Sequence, residues 1–489
     1  MKSFFRFYIR SFFQKYTLLK TSVLLLATLG LLITCNKQTN LSGTEQSCTC
    51  GTLIDVQFGP KVPGDNKLVT GQIQADCFAW AEFVALNWPT DPNAGFGTPG
   101  DMGPVQWETY MTREVLLPED GSPPPPWGGW KSAKAPAHLA HHLKGHPEGT
   151  KLLFHQSKFN AKNFQVLDET REAFPKTGPN WLGAQNNTNI WYEVLVNEDE
   201  YNYIVQNGFY NADSQYQFVA TRGDTITLPS GNDKQVGALE LKASWMEVKE
   251  PGNARWKRYK MSNAILLDTQ TGQPRSAVVA LVGLHILHKT ASQPTWFWAT
   301  FEHVDNVPGS GNGSFGYNFF NPDCKDQTVN VPGNCGLNKN KQDSAYTVSC
   351  KPNQTPPYYL CQGAGPVAMQ VERQIPIDDN AKMVNQKMQG FISQNFPGSV
   401  WANYQLVNII WSTTPQTQQG NRTPQGLKSM QPVIPVANTV AETFIQSTTC
   451  FDCHKYATIA PTAGSTKKSD FASDFSFIFE FAGYAGKKK

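Results

Sequence analysis

The sequence predicts an α+β fold with a mainly antiparallel β core, which could form a sandwich, flanked by short helices and followed by a helical C-terminal attachment segment. Between residues 188 and 306, stretches rich in β-branched and aromatic residues alternate with turn signals, which is typical of such a core. Charged residues make up only 17% of the 489 residues, whereas aromatic residues make up 12%. This composition indicates an ordered, sheet-rich protein.

The N-terminus predicts export. Residues 1–22 carry five basic side chains and no acidic one, and an apolar run follows over residues 23–33. A basic stretch before a short apolar run is typical of a secretory signal peptide, here residues 1–34, and the run is short for a membrane span. Residues 32–35 resemble a loose bacterial lipobox, so we predict lipidation at Cys35. Because Thr34 is not the usual small residue of that position, simple cleavage and a retained anchor remain alternatives.

The predicted location is the periplasmic side of the cell envelope, most simply as a lipid-anchored outer-membrane lipoprotein. Without the leader the formal net charge falls from +3 to −2, which gives no reason to expect a nucleic-acid partner. Residues 35–75 read as a lipid-anchored tether and entry segment.

A large β-rich α+β domain is predicted over residues 76–425. It opens with a helix capped by Asp76 and stopped by Pro89. Cys77, next to the cap, is the cysteine most naturally left without a disulfide partner, and it is interpreted as a small buried apolar residue rather than a reactive thiolate. Six strands are then predicted at Ile190 to Val196, Gln217 to Thr221, Ala238 to Val248, Tyr259 to Leu267, Ala277 to His288 and Thr295 to Val304.

Three further features are predicted in this domain. Residues 277–287 are apolar on both faces, so they should form a central strand covered on each side. The four cysteines between residues 324 and 361 should form disulfides within one loop, given an oxidising compartment. The spacing from Ala381 to Phe391 predicts a helix that Pro397 ends, and residues 399–411 should form another strand.

The last segment, residues 426–489, contains Cys450-Phe451-Asp452-Cys453-His454. Two thiols three residues apart on one helical turn reach the two vinyl groups of a haem, and the following histidine offers its imidazole to the iron. Thr439 and Glu442 predict a capping box that opens the helix leading to the motif. A zinc knuckle would need a second ligand pair close by, and a thioredoxin-like site would need a βαβ context, so both alternatives are weaker.

The sixth iron ligand is not evident near the motif, since residues 455–489 contain neither Met nor His. The ligand must come from upstream, or the iron is five-coordinate, or a weaker group such as Tyr456 binds it. His285, His288 and His303 are the distal candidates, each with the alternative of a hydrogen-bonded core histidine. Because His285 and His288 are three apart on a strand, they should face opposite sides, and at most one can reach the iron.

A second histidine group has the spacing of a metal site. It comprises His138, His141, His142 and His146. Imidazoles at i and i+4 would align for a metal on a helix, but the Lys, Gly and Pro residues around them favour a solvated, irregular segment.

The chain resembles large exported bacterial cytochrome c family proteins with a single C-terminal CxxCH haem motif. The resemblance rests on residues 77–89, 285–306 and 438–477, and it spans most of the mature chain. It implies one covalent haem c and electron transfer, but no defined substrate.

The predicted function is therefore that of a monohaem c-type cytochrome of the envelope, with a redox partner protein in the periplasm or envelope. A carrier does not need so large a body, which leaves two alternatives open. One is a haem enzyme or gas sensor with an open or weakly ligated iron. The other is an envelope binding protein with an auxiliary haem.

Overall fold

A computed structural model describes the chain in segments that together cover most of residues 46–485. The described ranges are 34–37, 46–50, 54–65, 67–128, 140–147, 149–153, 182–267, 274–309, 315–323, 328–331, 346–349, 360–361, 365–366, 368–418, 429–465 and 469–485. The predicted signal peptide lies outside the described residues up to residue 33, and of Cys35 only the backbone is described. Cys324, Cys335 and Cys350 also lie outside the described residues, and of Cys361 only the backbone is described, so their disulfides stay a prediction.

A small antiparallel sheet begins the described chain. It contains β1 (Thr34–Lys37), β2 (Gln46–Cys50) and β3 (Ile54–Phe58). Alternate residues of β3 are buried, and its apolar side chains join the main core. The segment predicted as a tether therefore includes two strands that belong to the folded body.

One large sheet dominates the fold. Its strands form a single layer and not the sandwich that the sequence left open. Its strands are β4 (Met111–Thr112), β5 (Lys151–Leu153), β6 (Ile190–Val196), β7 (Leu239–Glu247), β8 (Met261–Leu267), β9 (Pro274–His288) and β10 (Phe297–His303), with two later strands described below. Two backbone hairpins follow, β11 (Thr328–Val331) with β12 (Tyr346–Ser349), and β13 (Leu360–Cys361) with β14 (Gly365–Pro366). The sheet is completed by β15 (Tyr404–Ser412) and β16 (Met430–Gln431).

The spatial order is β16-β15-β10-β9-β7-β6-β4, with β8 pairing beside β9 and β5 pairing with β8. All pairings are antiparallel except that of β5 with β8, which confirms the predicted mainly antiparallel α+β class. The predicted central strand is β9, which pairs with β7, β8 and β10 and is fully buried from Ala280 onward.

Helices cover the sheet on both sides. They are α1 (Gln72–Leu86), α2 (Arg113–Leu116), α3 (Glu198–Gln206), α4 (Ala212–Tyr216), α5 (Asp379–Asn395) and α6 (Cys450–His454). Helices α1 and α5 pack against each other and against β15. The segment that carries α6 packs on the opposite face of the sheet, where Phe451, Ile459 and Phe479 share a core with Trp298.

Three local predictions are wrong. Asp76 does not cap α1 but lies one turn inside it, because the helix begins after Gly71 and buries the carboxyl against Gln72. Gln217–Thr221 was predicted as a strand but forms a π-helical turn that continues α4. The preceding helix, capped by Asn211, outweighs the strand propensity of the β-branched residues in this segment. Cys77 is not an unpaired residue but forms a disulfide with Cys50.

The predicted capping box at Thr439 is also misplaced. Residues 439–444 form turns rather than a helix, and Glu442 accepts a hydrogen bond from the backbone N–H of Asn438 at 2.9 Å. The capping box instead lies at Thr449 and Asp452, directly before the two thiols.

Candidate functional site

Helix α6 presents the Cys450–His454 motif and is fixed at its start by that capping box. The backbone N–H of Thr449 donates to the Asp452 carboxylate at 2.9 Å, and the Thr449 side chain accepts from the Asp452 N–H. Partial burial opposes ionisation of Asp452, but hydrogen bonds from Thr449 and the charge of Lys455 outweigh it and lower the pKa. The caps satisfy donors at the helix start that would otherwise be lost in so short a helix.

Phe451 anchors the same helix to the sheet. Its side chain is buried, with ring centroids 6.5 Å from Trp298 and 5.4 Å from Phe475. The second residue of the motif therefore points into the core, while Cys450, Cys453 and His454 are left at the wall of a cavity.

The cavity has a volume of about 1140 Å³ including its open mouth. Strands β6, β7, β9 and β10 form one wall, and α6 together with the 3₁₀ turn at Phe477–Phe481 forms the other. The apolar part of the lining comprises Leu287, Trp298, Phe477, Ile478 and Phe481.

The His454 imidazole is held in a defined orientation. Its Nδ1 donates to the main-chain oxygen of Phe475 at 2.8 Å, and its ring lies 4.6 Å from Trp298 and 4.8 Å from Phe477. Donation from Nδ1 to a carbonyl fixes the tautomer and raises the basicity of Nε2, the usual arrangement for a metal-binding histidine.

Of the three distal candidates, only His285 reaches this cavity. It lies on β9, lines the cavity together with His454, and its Nε2 is 3.5 Å from a Glu442 carboxylate oxygen. The strand geometry explains the selection, because His285 and Leu287 share the face that the C-terminal segment covers.

The other two histidines are engaged in the core. His288 faces α1, where Nδ1 contacts the Glu82 carboxylate and Nε2 lies 2.6 Å from the Val236 oxygen. His303 stacks on Tyr259 with ring centroids 3.7 Å apart, and Arg258 and Asp305 backbone groups lie 3.1 Å from its two nitrogens. Burial lowers the pKa of His303 to about 3, so this residue is a neutral core imidazole.

Charged side chains that sequence reasoning did not select also line the cavity. They are Arg113, Glu193, Glu240, Lys242 and Glu442. The Arg113 guanidinium lies 3.8 Å above the Phe481 ring and contacts Glu114. Glu240 and Lys242 lie on β7, and the other three come from β6, α2 and the turn at residue 442. Only the packing of these elements brings them together, so no local sequence motif could have identified them.

A buried carboxyl cluster lies behind the Glu240 part of the wall. Glu240 accepts a hydrogen bond from Ser476, Glu200 of α3 packs beside it, and Asp474 pairs with Lys289. Burial is the main cause that raises the pKa of each carboxyl, to about 7 for Glu240 and well above the ordinary value for Glu200. The proximity of the two glutamates means that they share protons rather than ionise independently.

The second histidine group shows no such enclosure. His138 lies outside the described residues, His141 and His146 are exposed, and the His141 and His142 rings are 3.8 Å apart. Within the described ranges, no group of three or more His, Cys, Asp and Glu side chains is arranged to hold a bare metal ion. A haem iron does not require one, since the porphyrin provides four of its ligands and the protein only the axial ones.

The residues of the cavity fit a c-type haem. Both thiols, the histidine after them and a second imidazole border one space with an apolar lining, and Arg113 and Lys242 are cations available to carboxylate groups of a ligand. No helix in the part of the chain that the structure describes is long and apolar enough to cross a bilayer. Comparison with family models, with characterised proteins and with solved structures finds no match to this chain.

Proposed function

We propose that this protein is a monohaem c-type cytochrome of the bacterial cell envelope that transfers one electron through a covalently bound haem c. The observation that carries the proposal is that Cys450, Cys453, His454 and His285 all border one cavity, although His285 is distant from the others in sequence. When bound, haem c supplies a one-electron iron couple.

The roles of the side chains follow from their chemistry. Cys450 and Cys453 form the two thioether links, and His454 is the proximal ligand, oriented by Phe475. His285 is the distal ligand, with the aromatic lining excluding water and favouring the ferrous state. Arg113 and Lys242 neutralise the propionates.

The wider setting is part of the same proposal. The basic and apolar leader supports export, and Cys35 is the proposed lipid attachment site, which would tether the body to the outer membrane. The resemblance to large exported cytochrome c family proteins supports the same compartment. The partner is a redox protein of the periplasm or envelope.

Mass spectrometry tests the attachment directly. Expression in a host competent for haem maturation should give a protein heavier by about 616 Da than the processed polypeptide, with the mass retained after denaturation. The double variant C450S/C453S should lack the increment, whereas C50A/C77A, which removes the structural cysteine pair, should keep it. A wild-type protein without the increment would refute the proposal.

Spectroscopy separates a carrier from the alternative of an enzyme or gas sensor. With both axial positions filled, the ferric protein should be low-spin and the ferrous protein should not bind carbon monoxide readily. A high-spin iron that binds the gas at once would instead indicate an open site.

A further inference from the structure

The carboxyl cluster behind the cavity has an unusual charge arrangement. Glu200 and Glu240 are 0% and 6% exposed, and neither carboxylate oxygen of Glu200 accepts a hydrogen bond from a donor among the described residues. The interaction that remains for Glu200 is with Glu240, which requires a proton between the two carboxyls. Glu240 in turn forms part of the cavity wall.

The groups around this pair provide little compensation for a negative charge on it. Lys289 forms an ion pair with Asp474, so its positive charge is already matched, and Ser476 contributes only a neutral hydroxyl to Glu240. On the cavity side, the charged or titratable side chains are those of Arg113, Tyr192, Glu193, Lys242, His285, Glu442, Cys450, Cys453 and His454. Two buried carboxyls that share one proton can bind a second proton without any movement of the backbone.

We propose that the Glu200–Glu240 pair is a redox-linked proton acceptor, which takes up one proton when the protein takes up one electron. The inference rests on the proposed haem in the adjoining cavity. An electron from an external reductant adds one negative charge to the cavity, and one proton from solvent, entering through the open mouth, converts the shared-proton pair to two carboxylic acids. On oxidation the electron leaves to the partner and the proton returns to solvent.

The position of Glu240 in the cavity wall explains why proton uptake should be strongly coupled to reduction. Away from bulk water, charges interact more strongly than in solvent, so a charge added in the cavity raises the proton affinity of a wall carboxylate. Burial already brings the pKa of Glu240 to about 7, which is where such a response affects the protein under ordinary conditions. A pair with an ordinary pKa would stay ionised in both redox states.

The test is a potentiometric titration of the haem-loaded protein between about pH 5 and about pH 9. We expect the equilibrium constant for reduction to fall tenfold per pH unit from about pH 7 upward, until the pH reaches the higher pKa of the pair in the reduced protein, equivalent to about 59 mV per pH unit for a one-electron couple. E240Q should flatten this dependence, because Glu200, whose pKa is raised well above its ordinary value, then stays protonated in both redox states and the wall carboxylate that gains the proton is gone. The matched control is E198Q, an exposed glutamate of the same helix as Glu200, which should keep it.

A second measurement guards against misfolded variants. Infrared difference spectra of the wild type should show a gain of carboxylic acid C=O absorption on reduction. A wild-type potential independent of pH, no carboxyl signal, or a pH dependence that persists in E240Q would overturn the inference, the last by assigning the proton to another group such as a propionate. A haem mass increment found alongside any of these results would leave the proposed function intact.

Discussion

Nδ1 of His454 donates to the main-chain oxygen of Phe475 at 2.8 Å, across a turn in which Asp474 and Phe475 both have positive φ angles, 58° and 68°. The left-handed conformation costs a non-glycine residue about 1–2 kcal/mol. The turn is held by the Lys289–Asp474 ion pair and by Gln418, which accepts from the Phe475 N–H at 2.7 Å. Two residues in a strained conformation thus aim a carbonyl at the imidazole that is proposed to bind iron.

The first prediction concerns the distal ligand. Replacing His285 by Ala should convert the ferric haem protein from low-spin to high-spin and allow the ferrous form to bind carbon monoxide, because the cavity then offers no imidazole opposite the motif. Optical and EPR spectra measure both changes. H142A, a change near the surface, is the control and should leave the spectra unaltered. Unchanged spectra in H285A would mean that another group holds the sixth position.

The second prediction concerns the pH dependence of stability. Asp76 is 0% exposed, accepts one hydrogen bond from Gln72 at 3.0 Å, and burial raises its pKa from 3.8 to about 8. The folded state therefore holds this proton more tightly than the unfolded state, so the contribution of Asp76 is fully present below about pH 4 and is lost as the pH rises to about 8.

D76N should remove this dependence. Relative to the wild type it should gain stability with rising pH by up to about 1.4 kcal/mol per pH unit over that window, as measured by urea unfolding. D233N changes an exposed loop carboxyl and serves as the control. A constant difference between D76N and the wild type from about pH 4 to about pH 8 would contradict the prediction.

The sequence predicted those elements whose signals are local. Strands β6 to β10 follow from runs of β-branched and aromatic residues, and the continuous apolar run of β9 marks burial on both faces. The same residue types at Gln217–Thr221 form a π-helical turn, because the helix before them decides the outcome. The alternation of His285 and His288 between faces was predictable, but which face meets the motif depends on how distant strands and helices pack.

The pairing of the cysteines and the set of residues that enclose the cavity could not be predicted from local sequence patterns. The odd number of cysteines predicted that Cys77 is unpaired. That prediction is wrong, because a count of cysteines does not reveal which two come together in space. The wall residues Arg113 and Glu240 carry no motif, since each belongs to a different element and gains its role only from sheet order. Thioether attachment at Cys450–His454 stays a prediction that depends on local spacing alone, within one helical turn.

The third prediction concerns the Cys50–Cys77 disulfide, which joins β2 to α1 with a sequence separation of 27 residues. Closing a loop of this length lowers the entropy of the unfolded chain, so C50A/C77A should lose about 3–4 kcal/mol of unfolding free energy. Chemical denaturation with and without reductant measures the loss. Reductant should destabilise the wild type more than the double variant, which lacks this disulfide but keeps others such as that of Cys48. Equal free energies of unfolding for the oxidised wild type and the variant would refute the contribution of the Cys50–Cys77 bond.

The last prediction concerns the contact between β9 and the segment that leads into the haem motif. A Cβ at Gly283 would lie 2.6 Å from a Val440 methyl and 3.3 Å from the Asn438 side-chain oxygen. Asn438 also donates to the Phe301 oxygen at 2.8 Å, so the segment cannot withdraw without breaking a buried hydrogen bond. G283A should therefore destabilise the protein by about 1–3 kcal/mol through overpacking.

A matched glycine substitution gives the opposite sign. Gly390 lies within α5, and a Cβ there would meet nothing within 4 Å, so G390A should stabilise the protein by about 0.5–1 kcal/mol through helix propensity. Thermal unfolding of both variants measures the pair. Because Glu442, which faces His285, follows the displaced segment, G283A should also perturb the haem spectrum, whereas G390A should not. Destabilisation by G390A, or none by G283A, would show that the close approach at Gly283 does not position this segment.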